Sequence, residues 1–311
     1  MHRSWSTEDM PDRQGRLAVV TGATGGIGYV TARELARAGA EVLVTGRDAG
    51  RARRAAERMA AEAPGVRVRP DLLDLADLSS VAGFAQRMEH AGRPVDLLVN
   101  NAGVMAIRHR ETSKDGFELT FATNHLGHFA LTGRLLPLLL AAREPRVVTV
   151  SASLARSPMA ELSDPQSTHR YHPMAAYAKS KLAGVLFTLE LQRRADAAGA
   201  ALACVAVHPG TSMTGLQRHA PAVVRALARI ALNRLIGQPV EQAALPVLYG
   251  ATAPEAEPGG FYGPTGRFEA RGAPGPVELP LLAGDAELAR NLWETSERLT
   301  RVRYRWPQRD G

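Results

Sequence analysis

The stretch Thr21-Gly22-Ala23-Thr24-Gly25-Gly26-Ile27-Gly28 decides the fold, because it joins a short apolar strand directly to a helix. Glycines at 22, 26 and 28 allow the backbone to turn tightly and to approach a pyrophosphate closely. The amino terminus of the following helix offers unpaired N–H groups and a partial positive charge to an anion. The glycine spacing differs from G-x-G-x-x-G, so the position after the first strand is what favours a phosphate-binding loop over a ligand-free turn.

Outward from this loop, short β-branched runs alternate with longer amphipathic segments. The predicted strands cover residues 17–21, 41–45, 66–70, 97–100, 146–150 and 202–207. The predicted helices include residues 28–38, 51–63, 75–91, 119–142 and 175–198. Strands that alternate with helices of this length form βαβ units with right-handed crossovers. The sequence therefore predicts an α/β fold: a single Rossmann-type, doubly wound parallel β-sheet flanked by helices, with its ligand crevice at the carboxyl ends of the strands.

The domain organisation is simple, since no internal repeat and no second core are evident. Residues 1–15 are polar and aperiodic, and we expect a flexible N-terminal extension there, followed by one domain over 16–311. A helical stretch over about 212–240 is interpreted either as a substrate lid or as a core-covering helix. Residues 254–300 are predicted to form a Gly- and Pro-rich loop that closes on a helix.

Composition excludes several classes of protein. The 311 residues are 45% hydrophobic and 22% charged, so the chain can bury a sizeable core. A single cysteine, Cys204, excludes a disulfide framework. We find no apolar run near the roughly 20 residues of a membrane span and no secretory signal, and we expect a cytoplasmic protein. The net charge is +7, but aromatics are only 5% and no stacking platform is visible, so we expect no nucleic-acid partner.

The end of the second predicted strand bears on which dinucleotide would bind. Thr45 and Gly46 end this strand and Arg47 follows. An acidic residue at this position binds a ribose 2′-hydroxyl, whereas a nearby arginine accommodates a 2′-phosphate through its fork geometry and fixed charge. Two residues favour NAD(H) instead: Asp48 is acidic, and Gly25 stands where a second cation could bind the 2′-phosphate. On balance we predict NADP(H) rather than NAD(H).

Tyr177 and Lys181 form a candidate acid–base pair. They stand four residues apart at the start of a predicted helix, which places them on one face. Only three of the 38 basic residues are lysines, so lysine at 181 is informative. For acid–base work at neutral pH, the pKa of Tyr177 must fall from about 10 to about 7, at a cost of about 4 kcal/mol. One cation at about 4 Å supplies about 4 kcal/mol at an effective dielectric of about 20.

With these residues in view, the chain resembles a short-chain dehydrogenase/reductase and is most similar to the retinol dehydrogenase-like branch. The matching motifs are residues 21–28, Asp71-Leu72, Asn100-Asn101-Ala102-Gly103, Asn124 within 124–129, Tyr177 with Lys181, and His208-Pro209-Gly210. The resemblance implies a nicotinamide cofactor and a set of residues that contact it. These residues are Gly22, Thr24, Gly26, Ile27, Gly28, Arg47, Asp71, Leu72, Asn100, Ala102, Gly103, Tyr177, Lys181, Pro209, Gly210, Thr211 and Thr214.

The resemblance also implies roles within this set. Asp71 and Leu72 would flank the adenine, and Asn124 would interrupt the bonding of its helix to hold a water that relays protons from Lys181. Tyr177 would exchange a proton with the substrate oxygen while the nicotinamide exchanges a hydride with the substrate carbon. Pro209 and the residues after it would pack against the nicotinamide.

One position departs from the family pattern. The family usually ends its fifth strand with two adjacent serines, the second of which orients the substrate carbonyl, whereas this chain has Ser151-Ala152-Ser153. We predict that Ser153 takes the orienting role, with Ser151 as the alternative. If neither hydroxyl reaches the pocket, one hydrogen-bond donor is missing.

The function expected from the sequence is NADP(H)-dependent interconversion of an alcohol and a carbonyl on a bulky, apolar small molecule, with Ser153, Tyr177, Lys181 and Asn124 at the catalytic site. The alternatives are a biosynthetic tailoring enzyme that catalyses a non-redox step on the same fold, or a catalytically silent cofactor-binding protein. No metal is expected, because His125 and His128 lack further donors nearby in sequence. The resemblance allows a homodimer, a homotetramer or a monomer.

Overall fold

A mostly parallel β-sheet forms the centre of the part of the chain that the computed structural model describes, residues 4–210 and 238–307. The strands are β1 Leu17–Val20, β2 Glu41–Gly46, β3 Arg67–Leu72, β4 Leu97–Asn100, β5 Arg146–Val150, β6 Ala203–Val207, β7 Phe261–Pro264 and β8 Pro274–Pro276. Their spatial order is β3-β2-β1-β4-β5-β6-β7-β8, and only β7 and β8 pair antiparallel. The strand order reverses between β1 and β4, which is where a doubly wound sheet opens its ligand crevice. The predicted fold class is confirmed.

Helices cover both faces of the sheet. They are α1 Gly26–Arg37, α2 Ala49–Glu62, α3 Leu78–Ala91, α4 (an α turn at Leu119–Phe121, a π turn at Ala122–Leu126 and an α-helical body at Gly127–Leu140), α5 Pro173–Ala198, α6 Val240–Thr252 and α7 Ala286–Thr300. Helices α1, α2 and α6 contribute to the core on one face, and α3, α4, α5 and α7 to the core on the other. Within the described residues, no helix combines the length and apolar character needed to cross a bilayer.

The strand sequences explain why both faces are apolar. Along β1, Ala18 and Val20 enter the core under α1, whereas Leu17 and Val19 enter the core under α3 and α4. Successive side chains of a strand point to opposite faces, so a strand buried on both sides needs an unbroken apolar run. The pattern that predicted a parallel sheet is therefore a direct consequence of burial on two faces.

The structure differs from the sequence prediction at two places in the sheet. β3 extends to Leu72, two residues beyond its predicted end. The Gly- and Pro-rich stretch that was predicted as a loop contains β7 and β8. Proline cannot donate to a strand ladder, and β8, with prolines at both ends, lies at the sheet edge, where that loss is tolerated.

The segment before β1 packs against the domain, unlike the flexible extension that its composition suggested. The Trp5 ring packs edge-on against Tyr249, with ring centroids 5.4 Å apart. Arg13 donates from Nη2 to the carbonyl oxygen of Thr252 over 2.6 Å and from its backbone nitrogen to Ala38 over 2.7 Å. The predicted lid over 212–240 lies outside the described residues up to residue 237, and Val240 already belongs to α6.

Candidate active site

A cleft of about 240 Å³ opens at the carboxyl ends of the strands, between the glycine loop and the start of α5. All five glycine-loop residues predicted to contact a cofactor line it, namely Gly22, Thr24, Gly26, Ile27 and Gly28. The cleft reaches from Arg47 at the end of β2 to Tyr177 and Lys181 on α5. The structure thus brings the two sequence motifs to one site.

The glycine loop has the geometry that a pyrophosphate requires. Gly22 has φ +66°, and a Cβ there would lie 2.9 Å from the Cα of Ala102. A Cβ at Gly28 would lie 2.7 Å from the carbonyl oxygen of Gly22. Helix α1 begins at Gly26 and no side chain caps its first turn, so its N–H groups face the cleft free to bind an anion. This cradle fits the diphosphate of a dinucleotide.

Two arginines lie at the β2 end of the cleft. Arg47 lines the cleft as predicted, and Arg51, from the first turn of α2, lines it as well. Arg51 was not among the predicted site residues, although its place in the first turn of the helix that follows β2 is a usable signal. Asp48, which argued against a 2′-phosphate, is engaged as the cap of α2 and accepts the Arg51 backbone N–H over 2.9 Å.

The residues predicted to flank the adenine, at the end of β3, do not line the cleft. Asp71 pairs with Arg87, 2.8 Å away, and Leu72 is 44% exposed, and neither lines the cleft. Leu73, Asp74 and Leu75 line it instead. The cause is the length of β3: because the strand continues to Leu72, the chain enters the crevice only at Leu73.

A similar displacement occurs at the end of β4. Asn100 is buried and donates from Nδ2 to Thr132 Oγ1 over 3.0 Å, away from the cleft. Asn101 lines the cleft and donates from Nδ2 to the carbonyl oxygen of Thr21 over 2.7 Å. Ala102 and Gly103 line the cleft as predicted. Of the two adjacent asparagines, Asn101 is therefore the one that lines the cleft.

Tyr177 and Lys181 lie on the second and third turns of α5. Pro173 occupies the first helical position and His172 caps the helix, which fixes where α5 begins. The two side chains are 7% and 5% exposed. The Lys181 ammonium donates to the carbonyl oxygen of Val150 over 2.8 Å and lies 5.6 Å from the centre of the Tyr177 ring. The amine is thus buried beside the ring, as the acid–base interpretation requires.

The expected fall in the pKa of Tyr177 is wrong for the protein alone. Burial raises the pKa of the Tyr177 phenol above its usual range and lowers the pKa of Lys181 to about 8. The physical reason is that desolvation penalises both the phenolate and the ammonium, and at its distance Lys181 does not offset this penalty. Tyr177 is therefore a neutral phenol, a proton donor, at pH 7.

Asn124 lies in the π turn of α4, next to Lys181. The regular helical bonding is interrupted there, because the Gly127 N–H bonds to the carbonyl of Ala122, five residues back. The Asn124 side chain accepts from the Val104 N–H over 2.8 Å. A Cβ placed on Gly103 would lie 3.1 Å from Asn124 Oδ1 and 3.6 Å from Lys181 Nζ, so the two groups border the same small space.

The two candidate serines occupy different environments. Ser151 is buried, lines the cleft, and donates its hydroxyl proton to the carbonyl oxygen of Lys181 over 2.8 Å. Ser153 is exposed at the start of a 3₁₀ turn, Ser153–Arg156, and is not among the described residues that line the cleft. Its hydroxyl makes no hydrogen bond within the described residues.

The β6 end of the site is described only in part. Pro209 lines the cleft, whereas Gly210, with φ +71°, is not among its lining residues. Thr211 and Thr214 lie outside the described residues. Among residues 4–210 and 238–307, no group of three His, Cys, Asp or Glu side chains is arranged to hold a metal ion.

Comparison with known proteins agrees with this geometry. Residues 16–223 match the family model of the short chain dehydrogenases. The chain therefore belongs to the short-chain dehydrogenase family, whose members bind a nicotinamide cofactor. Within the family it belongs to the retinol dehydrogenase-like branch and is an oxidoreductase that acts on CH–OH groups.

Individual relatives place the chain more closely. It is 43% identical over 295 residues to the polyprenol dehydrogenase of Mus musculus, covering 94% of this chain and 85% of the relative. It is 39% identical to retinol dehydrogenase 14 of Homo sapiens, covering 91% and 85%. A crystal structure of an uncharacterized Mycobacterium paratuberculosis protein superposes with a TM-score of 0.81 at 40% identity, covering 97% and 100%. The NADP complex of Pseudomonas aeruginosa RhlG superposes at 0.63 and 26%, covering 80% and 94%.

Proposed function

We propose that this chain uses NADP(H) to interconvert an alcohol and a carbonyl on a bulky, apolar small molecule, with Tyr177 as the proton-transfer group. The observation that carries the proposal is the burial of Tyr177 and Lys181 together, at one end of a cleft whose other end is an uncapped, glycine-rich helix terminus. A dinucleotide that spans this cleft would bring its reactive end to the phenol.

The preference for NADP(H) is supported by the charges at the β2 end of the cleft. Arg47 and Arg51 both line it, and neither forms an ion pair within the described residues. Two guanidiniums without a carboxylate partner can both donate to a 2′-phosphate, whose oxygens match their fork geometry. The NADP complex of the related RhlG supports the same choice.

The chemistry assigned to the chain's own residues is proton transfer and orientation. The bound nicotinamide supplies the hydride to the substrate carbon, or takes it up from there. Tyr177, a neutral phenol at pH 7, donates its proton to the substrate oxygen in carbonyl reduction. Lys181, held by the Val150 carbonyl, stabilises the phenolate that results. We therefore expect reduction to dominate at pH 7 and alcohol oxidation to accelerate as pH rises.

Ser153 remains the proposed orienting residue. Because Ser151 already donates its only hydroxyl proton to the Lys181 carbonyl, it cannot donate to a substrate without breaking that bond. The Ser153 hydroxyl is exposed and has its proton available. The Ser153→Ala variant is expected to lower turnover more than Ser151→Ala.

The apolar substrate is supported by the surface near the β6 end of the cleft. The Phe268 side chain is 85% exposed. The turn that carries Phe268 approaches the cleft, because the carbonyl oxygen of the neighbouring Ala270 would lie 2.6 Å from a Cβ at Gly210. Exposed apolar groups beside a site indicate an apolar ligand. The names of the polyprenol and retinol dehydrogenase relatives agree with this class.

The test is oxidation of NADPH by the purified chain against aldehydes and ketones of increasing apolar size, with NADH in parallel. We expect turnover that rises with apolar bulk, that prefers NADPH and that falls by at least about a hundredfold in Tyr177→Phe. Tyr249→Phe, on the distant helix α6, is the matched control and should leave turnover unchanged.

The same assay distinguishes the alternatives. NADPH binding without turnover of any carbonyl would indicate a catalytically silent binding protein. A product formed in a Tyr177-dependent manner with no change in NADPH would indicate a non-redox step. Either result would contradict the proposal.

A further inference from the structure

A buried chain of hydrogen bonds runs from the glycine loop into α4. The backbone nitrogens of Asn101 and Ala102 donate to Thr21 Oγ1 over 2.8 and 2.9 Å. Thr21 Oγ1 lies 2.9 Å from Nε2 of His128, and His128 Nδ1 lies 3.0 Å from the carbonyl oxygen of Asn124. His128 therefore connects the first residue of the glycine loop to the π turn.

The chain continues from Asn124 to the helix that carries Tyr177. Asn124 Nδ2 donates to Ser180 Oγ over 2.9 Å, and Ser180 Oγ donates to the carbonyl oxygen of Tyr177 over 2.7 Å. Thr21, His128, Asn124 and Ser180 are each at most 5% exposed. Because water does not compete at this depth, each bond holds its partners firmly, and losing one leaves a buried group unsatisfied.

The partners of His128 determine its protonation. The Asn124 carbonyl can only accept a hydrogen bond, so Nδ1 carries the proton. Burial lowers the pKa of His128 to about 4, so the ring is neutral at pH 7 and Nε2 has a free lone pair. The Thr21 hydroxyl proton has two acceptors within reach, Nε2 of His128 at 2.9 Å and the carbonyl oxygen of Val99 at 3.2 Å, and the contact to Nε2 is the shorter. The Thr21 oxygen accepts the two backbone N–H groups.

We propose that His128 is a positioning residue that couples dinucleotide binding at the glycine loop to the orientation of the Tyr177 turn. It reaches the loop through Thr21, and it reaches the turn through Asn124 and Ser180. The role assigned to Tyr177 rests on the proposed function, whereas the effect on the glycine loop is measurable by binding alone.

Three substitutions at one site separate the two ends of the chain. His128→Asn keeps a donor near the Nδ1 position and loses Thr21, so NADPH Kd should rise about fivefold with kcat nearly unchanged. His128→Gln reaches the Nε2 position and loses Asn124, so kcat should fall about fivefold with Kd nearly unchanged. His128→Leu loses both contacts and should show both effects. NADPH fluorescence titration gives Kd, and steady-state rates give kcat.

His125→Leu is the matched control, because His125 is buried on the same helix but bonds to Ser296 Oγ, 2.8 Å away and outside the chain. It should lower thermal stability without changing Kd or kcat. The proposal is overturned if His128→Leu changes Kd and kcat no more than His125→Leu, or if the Asn and Gln variants change the same parameter. If His128→Leu does not fold, the Asn and Gln variants decide. The Kd measurements need no turnover, so they remain decisive for the loop end even if the proposed function fails.

Discussion

Both sides of the cleft contain residues with a left-handed backbone conformation, but the two sides use different residue types at these positions. On the cofactor side, defined as the glycine loop with the ends of β2 to β4, the left-handed backbone falls on Gly22 and Gly26, with φ +66° and +59°. On the substrate side, defined as the turns Ser153–Arg156 and Arg267–Glu269, it falls on Phe268 and Glu269, with φ +56° and +51°. Glycine adopts this conformation without steric cost, whereas a side chain makes it strained.

The strained side is held by charge. Glu269 Oε2 lies 2.6 Å from Arg156 Nη1 and 2.8 Å from His208 Nε2, so one carboxylate joins the turn that begins at Ser153 to the end of β6. The cofactor side relies instead on close backbone approach and neutral buried hydrogen bonds. The difference indicates that the shape of the cofactor side is set by residues close together in sequence. The shape of the substrate side is set by contacts between residues far apart in sequence.

We expect acid to destabilise the fold through two buried histidines of α4. The buried rings of His125 and His128 have pKa values near 3 and 4, below the 6.5 of an unfolded chain. Between about pH 6.5 and pH 4 the two histidines are therefore protonated in the unfolded state but not in the folded state. The free energy of unfolding falls as the pH drops through this range. We expect a loss of about 2.6 kcal/mol from each ring by pH 4.5. Urea unfolding at several pH values measures it, and a His125→Gln/His128→Gln variant that keeps the full slope would refute the assignment.

Gly28→Ala should disrupt the cofactor side most among single substitutions. The added methyl would lie 2.7 Å from the Gly22 carbonyl oxygen and would displace the loop, so we expect NADPH affinity to fall about a hundredfold, about 3 kcal/mol. Gly83→Ala is the control, because its Cβ would make only ordinary contact with Arg87 at 3.6 Å. Equal NADPH affinities for the two variants by fluorescence titration would contradict the crowded-loop interpretation.

Arg51→Gln should weaken NADPH binding about tenfold and leave NADH binding unchanged, because it removes one charge from the proposed 2′-phosphate contact. Arg53, two residues along α2, is exposed and does not line the cleft, so Arg53→Gln is the control. Isothermal titration with both dinucleotides gives the ratio. A parallel loss for NADPH and NADH would show that Arg51 does not read the 2′ position.

Asp74→Asn should weaken dinucleotide affinity by about threefold, because Asp74 lines the adenine end of the cleft and loses its charge there. Asp71→Asn breaks only an ion pair with the half-exposed Arg87, so its affinity should match the unmodified chain. If Asp71→Asn weakened dinucleotide affinity more than Asp74→Asn, the result would favour Asp71 as the adenine contact, as the sequence alone predicts.

Phe268→Gly should have the smallest effect of these substitutions, and it should stabilise the fold. The substitution removes the strain of a left-handed residue that carries a side chain, which stabilises the fold by about 1 kcal/mol. Glycine has greater conformational entropy in the unfolded chain, which destabilises the fold by about 0.5 kcal/mol. We expect a net stabilisation of about 0.5 kcal/mol by thermal unfolding. A clear destabilisation would mean that the substrate side is not strained at this turn.

The features that could be predicted from the sequence are those that depend on residues close together in the chain. The glycine loop, Arg47 and the Tyr177–Lys181 pair were found because each depends on a motif of a few adjacent residues. The Asp-Leu pair occurs twice, at 71 and at 74, and which of the two pairs lines the cleft depends on where β3 ends. That end is set by pairing with β2, which spacing alone does not reveal.

Other misses required tertiary structure. Asn100 and Asn101 are adjacent in sequence, and only the packing of Asn100 on Thr132 shows which of them faces the core. His128 looked like one of two histidines on a helix face, and its role depends on Thr21, more than 100 residues away. The N-terminal segment looked loose in the sequence because its two large apolar anchors, Trp5 and Met10, pack on residues far along the chain, such as Tyr249 on α6.

The π turn at Ala122–Leu126 has a consequence for tolerated changes in chain length. One additional residue in a turn rotates everything beyond it by about 100°, so Leu119–Phe121 and Gly127–Leu140 cannot share one helical wheel. Deleting a single residue here would give a continuous α-helix, and Asn124 would swing away from the space that it shares with Lys181. The bonds of the Asn124 side chain to Val104 and Ser180 would be lost as well. We therefore expect this turn to tolerate no change in its number of residues.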